Sequence, residues 1–212
     1  MRHARTIVLL LLASAVIAST AAAAPRKFTV GVCTHFSQNK GHVQMNLDMI
    51  KAAGIDAIRD EAGWAGVERV KGEYRVPDRV EQYIRTAAGK GLDVMLILDY
   101  SNRFYDDGDR PRSSEAIEGF CGYAEFMVRH FGDDIRLYEV WNEWDIGIGL
   151  PEPYRKGGSP EDYFKLLKAV YPRIKAANPK ATVVAGASTS GGVKRGWLDK
   201  VVELGGLQYC DA

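Results

Sequence analysis

Short aliphatic runs alternate with stretches of helical periodicity along most of the chain, and this alternation limits the fold more than any other feature. Apolar, β-branched runs fall at 28–32, 57–58, 93–100, 135–141 and 181–187. Between them lie four stripes at helical spacing. Val43, Leu47 and Ile50 form the first, closed by Gly54; Val80, Ile84, Ala87 and Ala88 form the second, closed near Gly89 and Gly91. The third runs from Ile117 through Phe120, Cys121, Ala124 and Val128 to Phe131, ending at Gly132. The fourth opens on Ser159-Pro160-Glu161-Asp162, a capping serine with proline in the first turn, carries Phe164, Leu167, Val170 and Tyr171, and stops before Asn178-Pro179. Nearly continuous apolar strands separated by helices specify a parallel sheet with both faces covered, an α/β fold.

Two architectures share that texture, the (β/α)8 barrel and the doubly wound sheet. No G-x-G-x-x-G or Walker loop follows the first strand, which weighs against nucleotide binding. Polar and ionisable residues gather at the C-terminal ends of the strands, namely His35, Arg59, Asp60, Glu61, Asp99, Asn102, Asn142 and Glu143. In barrels that face carries the chemistry, so a TIM barrel is expected. Five strands are clear and residues 209–212 open a sixth, whereas a complete barrel has eight strands in about 250 residues. The expectation is therefore an incomplete barrel, with five to six of the eight β/α units in residues 25–212.

The N-terminus carries export chemistry. Arg2 and Arg5 precede an apolar run at 7–17, and the small residues 19–24 offer A-x-A cleavage sites, so residues 1–24 are expected to be a signal peptide and the product secreted or periplasmic. The run is shorter than the roughly 20 residues that span a bilayer, which argues against a stable membrane anchor. Cleavage would remove two arginines and no acid, leaving 26 basic against 27 acidic side chains. That balance argues against nucleic acid as a partner. Cys33, Cys121 and Cys210 are odd in number, so at least one is unpaired; buried free thiols are expected. No Cys/His spacing suggests a metal, and no cofactor is expected.

The segment from Tyr138 to Asp145 reads YEVWNEWD, an apolar strand that delivers Asn142-Glu143 to its end, followed by a Gly- and Pro-rich loop at 146–158. This segment resembles the fourth strand of clan A glycoside hydrolases. The resemblance extends to Gly31-Val32-Cys33-Thr34-His35-Phe36, to Ile58-Arg59-Asp60-Glu61 with Trp64, Glu68 and 71–74, and to the stretch 91–102. Within the clan the chain is most similar to family 39-like enzymes, then to family 5 cellulase-like enzymes, which usually show Asn-Glu-Pro where this chain has Asn-Glu-Trp.

The resemblance implies hydrolysis of O-glycosidic bonds in a poly- or oligosaccharide by retaining double displacement. Glu143 would be the general acid/base, Asn142 would contact the sugar 2-hydroxyl, and Arg59 would support the nucleophile. His35, Trp64, Asp99, Asn102 and Trp144 are candidate substrate contacts, with Trp144 the best placed to stack on a sugar and to desolvate Glu143. The family's nucleophile, a glutamate at the end of strand seven, has no match here. Each assignment has a plainer alternative: a solvated carboxylate for Glu143, a loop-capping amide for Asn142, an ion pair with Glu61 or Asp99 for Arg59, and core packing for the aromatics. A carbohydrate-binding barrel remnant without catalysis is the competing function.

Overall fold

The computed structural model describes residues 28–212; the expected signal segment at 1–24 lies outside them. Five strands, β1 (Gly31–Cys33), β2 (Ala57–Gly63), β3 (Asp93–Asp99), β4 (Leu137–Asn142) and β5 (Thr182–Ala187), form one parallel sheet whose spatial order equals their order in the chain. Helix α1 (Val43–Ala52) links β1 to β2. Helices α2 (Trp64–Val67) and α3 (Asp78–Gly89) lead to β3, α4 (Ser114–Phe131) leads to β4, and α5 (Pro160–Ala177) leads to β5. Helices α6 (Ser190–Lys194) and α7 (Trp197–Glu203) follow. This is the wound α/β arrangement of a partial TIM barrel, as the alternation specified.

Local chemistry explains where the elements start. Ser113 and Ser159 cap α4 and α5 by accepting hydrogen bonds from the backbone N–H groups of Ala116 and Asp162. Proline occupies the start of α5, where its missing N–H costs nothing. Each long helix turns its apolar stripe onto the sheet. On α4 this face comprises Phe120, Tyr123, Ala124, Met127 and Val128, and on α5 it comprises Tyr163, Leu166, Leu167, Val170 and Ile174, all essentially unexposed. Truncating any one of the large members to alanine costs about 2–5 kcal/mol by cavity formation.

Strand bounds differ from the expected runs in an informative way. β2 extends five residues beyond 57–58, through Arg59, Asp60 and Glu61, because its alternate residues face opposite sides of the sheet. At the far edge, Asp211 N–H donates to the Val183 carbonyl (2.8 Å) and Ala185 N–H to the Ala212 carbonyl (2.9 Å). Residues 211–212 thus run alongside β5 without forming a strand, and Tyr209, which the sequence placed in a sixth strand at 209–212, instead closes a 3-10 turn, Gly206–Tyr209. Among the described residues all three cysteines are free, but only Cys121 is buried; Cys33 is exposed and Cys210 half-buried, which corrects the expectation of buried thiols. No described helix is long and apolar enough to cross a membrane.

Candidate active site

Three strands aim polar side chains at one place. The two-residue period of β2 sets Arg59 and Glu61 on one face and Asp60 on the other. Asp60 is fully engaged in structure: its carboxylate accepts from the Thr34 hydroxyl (2.7 Å) and from the backbone N–H groups of Phe36 (2.7 Å) and Glu61 (2.8 Å). It staples the loop after β1 to β2.

Arg59 crosses the sheet to β4. Its Nε and Nη2 donate to the two oxygens of Glu139 at 2.7 and 2.8 Å, a bidentate pair with Glu139 almost wholly buried. These bonds hold the guanidinium protonated, above its ordinary range, against the opposing effect of burial. The partner is neither Glu61 nor Asp99, the two that sequence reasoning offered. Nη2 also donates to Asn142 Oδ1 (2.9 Å), and Asn142 Nδ2 donates to the Tyr100 hydroxyl (3.1 Å). Arg59, Glu139, Asn142 and Tyr100 therefore form one connected network.

The end of β4 is bent by unusual backbone. Trp141 and Glu143 have φ of 71° and 50°, in the left-handed region that non-glycine residues seldom enter and that clusters at active sites. Glu143 N–H is held by the Ala187 carbonyl of β5 (2.8 Å), and the Glu143 carbonyl accepts from Ile146 N–H (3.2 Å). The Glu143 side chain is half-buried, and its carboxyl takes no hydrogen-bond partner among the described residues. It sits beside the oriented Asn142 amide as an available acid or base.

The loop beyond is tightly fastened. Asp145 accepts from the backbone N–H (3.0 Å) and the hydroxyl of Thr189, tying the β4 exit to the β5 exit. Arg110 donates to the Trp144 (3.0 Å) and Lys156 carbonyls and lies over the Trp144 indole. Gly149, with φ 77°, presses against the Tyr100 ring where a side chain would collide.

Four of the five expected substrate contacts, Trp64, Asp99, Asn102 and Trp144, are buried, and His35 is exposed. Trp144 is 1% exposed, wedged among Trp141, Tyr163 and Arg110, so its faces are closed to a stacking sugar. Trp64 is wholly buried between Tyr105, Phe120 and Tyr123, with its indole N–H on Glu68. Asn102 is a loop brace, donating to the Glu68 carbonyl (2.9 Å) and accepting from Phe104 N–H (3.1 Å). Asp99 is fully buried, and neither of its oxygens has a hydrogen-bond partner. Burial, then the nearby Glu61 and Glu139 charges, push its carboxyl well above the ordinary range. His35 is exposed at the start of the β1–α1 loop, and no hydrogen bond joins its ring to the network. Among the described residues no cluster of three or more His, Cys, Asp or Glu is arranged to hold a metal.

Glu139 and the aligning role of Tyr100 were missed from the sequence. One signal pointed to Glu139: a lone charge inside an otherwise apolar strand, three residues before Asn142.

A family model described as cellulase (glycosyl hydrolase family 5) matches residues 21–201. Among solved structures, a family 39 glycoside hydrolase from the gut symbiont Bacteroides cellulosilyticus WH2 is similar at 28% identity and a TM-score of 0.71, over 86% of this chain and 36% of that one. An endoglucanase from Thermotoga maritima shares 23% identity (TM-score 0.54, 74% of this chain and 47% of that one). A β-glucosidase from the same organism shares 17% (TM-score 0.58, 76% and 49%); these last two likenesses are of fold alone. The chain spans less than half the length of each of these structures. No curated protein matches it.

Proposed function

The chain belongs to the cellulase family, glycosyl hydrolase family 5, and from that footing we infer that the full protein hydrolyses O-glycosidic bonds of a poly- or oligosaccharide with retention of anomeric configuration. The observation that carries the reading is the end of β4, where an available carboxyl, Glu143, adjoins an amide, Asn142, already oriented by Arg59.

Cleaving a glycosidic bond places negative charge on the departing oxygen and positive charge on the anomeric carbon. Glu143 protonates that oxygen, then deprotonates the water that releases the glycosyl-enzyme intermediate. Asn142 donates to the sugar 2-hydroxyl, a bond that strengthens in the transition state. The nucleophile must be a carboxylate about 5–5.5 Å from Glu143. Asp60 and Asp145 are engaged by neighbours and Asp99 is buried, while Glu61, which accepts from Gln38 (3.0 Å), stands on β2 and not at the end of a seventh strand, where the family carries its nucleophile. We assign it to a carboxylate outside residues 1–212, with the Arg59 guanidinium helping to keep it ionised. Residues 1–24 direct export, and no cofactor takes part.

Glu143→Gln in the full protein tests the assignment. Hydrolysis of glycosides with poor leaving groups should fall by about 10²–10⁴-fold, the usual worth of general acid catalysis. Activated aryl glycosides, which need little protonation, should lose far less in the glycosylation step. Equal losses on both would remove Glu143 from the acid role, and an inverted product seen by NMR would exclude double displacement.

A further inference from the structure

The geometry points to a separate sugar-binding cleft on the leaving-group side of Glu143, where the Arg195 guanidinium takes the carboxylate of an acidic, uronic-type unit. The inference rests on the glycosidase reading above and adds a substrate class to it.

The cleft opens between the loop after β4 and the turn joining α6 to α7. Its volume is about 570 Å³, and Ile146, Gly157, Gly158, Arg195 and Trp197 line it over the buried Asp145. The Ile146 and Gly147 N–H groups donate to the Glu143 carbonyl (3.2 and 3.3 Å), so the cleft begins one turn beyond the catalytic acid. Arg59, Tyr100 and Asn142, beside which the sugar being cleaved sits, belong to β2, the exit of β3 and β4; the cleft lies toward the exit of β5. Glu143 stands between the two, where it must reach the bridging oxygen. Units joined through that oxygen therefore run toward Arg195.

The walls are fixed before a ligand arrives. Asp145 is tied to the N–H (3.0 Å) and hydroxyl of Thr189, and the Trp197 indole N–H donates to the Gly158 carbonyl (2.9 Å). Ile146, 41% exposed, offers an apolar flank to the C–H face of a sugar ring. Arg195 supplies the polar group. Its side chain is 60% exposed, and the one hydrogen bond of its guanidinium among the described residues is long, Nη2 to Asp145 Oδ2 (3.4 Å). Thr189 already satisfies that carboxylate, so most of the guanidinium donors are unspent. A planar fork of N–H groups matches the two oxygens of a carboxylate, and a neutral hydroxymethyl group at the same ring position cannot engage it in that way.

Calorimetric binding to the full protein carrying Glu143→Gln provides the test, at pH 6, where a sugar carboxylate is ionised. The probes are β-1,4-linked glucose and mannose hexasaccharides, each neutral, oxidised to the carboxylate at C6 in its reducing-end half, or oxidised in its non-reducing-end half. In at least one series, acid units at the reducing end should tighten binding about tenfold, the worth of one charge-assisted pair discounted for exposure, and acid units at the other end should not. Adding Arg195→Gln should abolish that acid-over-neutral preference. Ile146→Glu places a like charge in the cleft and should reverse it, which keeps the test open if the arginine variant does not fold. Lys180→Gln, an exposed cation ahead of β5, should leave the ratio unmoved. The proposal is overturned if neither series prefers acid at the reducing end, or if Arg195→Gln weakens acidic and neutral chains equally. Neither result touches the Glu143 assignment, which is judged by the leaving-group dependence of hydrolysis; failure there leaves the binding ratios standing.

Discussion

Replacing Asp99 with asparagine should make the protein's stability respond differently to pH, and the size of that response follows from the geometry. Asp99 is wholly buried, both oxygens lack partners, and Glu61 and Glu139 are its charged neighbours, with Arg59 only partly offsetting them. Its folded-state pKa is therefore raised, whereas the unfolded chain releases the proton near pH 4. Between pH 4 and the raised folded value, the folded protein binds one proton more than the unfolded chain. Stability accordingly falls as pH rises through that window, by about 1.4 kcal/mol per pH unit, and is undiminished below pH 4. Asparagine has the same shape and does not titrate. Its buried amide imposes a constant offset, but the slope disappears.

Urea unfolding of wild type and Asp99→Asn at pH 4, 5, 6 and 7 isolates the slope, since every other titration is common to both. With m near 2 kcal/mol/M, the midpoint of the variant should gain on wild type as pH rises above 4, by about 0.7 M per pH unit for as long as the folded protein keeps the Asp99 proton. A constant gap between the two midpoints, or one that narrows as pH rises, would refute the placement of a protonated Asp99 inside the barrel.

Two further outcomes test the packing. Gly186→Ala would drive a methyl group into the Val140 and Trp141 carbonyls, backbone atoms that cannot swing aside, and should cost about 1–3 kcal/mol; an unchanged melting temperature by calorimetry would contradict that contact. Burial pushes the Cys121 thiol up to about 12, and only thiolates react, so a disulfide reagent at pH 8 should modify exposed Cys33 first and leave Cys121 untouched until urea is added. Three thiols reacting together in the native protein would refute it.

The helices were readable because their information is local: a capping serine, a stripe at the 3.6-residue period, a closing glycine. Strand cores were readable for the same reason. β2 was cut short because a hydrophobicity pattern cannot recognise strand residues that are charged on both faces. Arg59 and Glu61 face the inside of the sheet, and Asp60 is satisfied by amides from a loop more than twenty residues earlier. The functional face was visible as a gathering of polar residues at strand ends, yet which of them are exposed was not. Trp64 and Trp144 carry the composition of a sugar platform, but tertiary packing closes both. Glu139 escaped because its significance depends on a partner 80 positions away, Arg59. Short helices such as α6, five residues at the β5 exit, left no periodic trace long enough to read.

Because strands one to five are neighbours in space in the same order as in the chain, each new strand meets a waiting edge made of the residues synthesised just before it. A nascent chain can then be laid down like courses of brick, with no strand held in reserve for a partner that arrives two units later. The docking edge moves forward with synthesis, from β2 to β3 to β4 to β5, while the β1 edge stays where it began. Arg59 and Glu139 come to lie on opposite sides of an intervening strand, so the ion pair that orients the site can form only when β4 is seated.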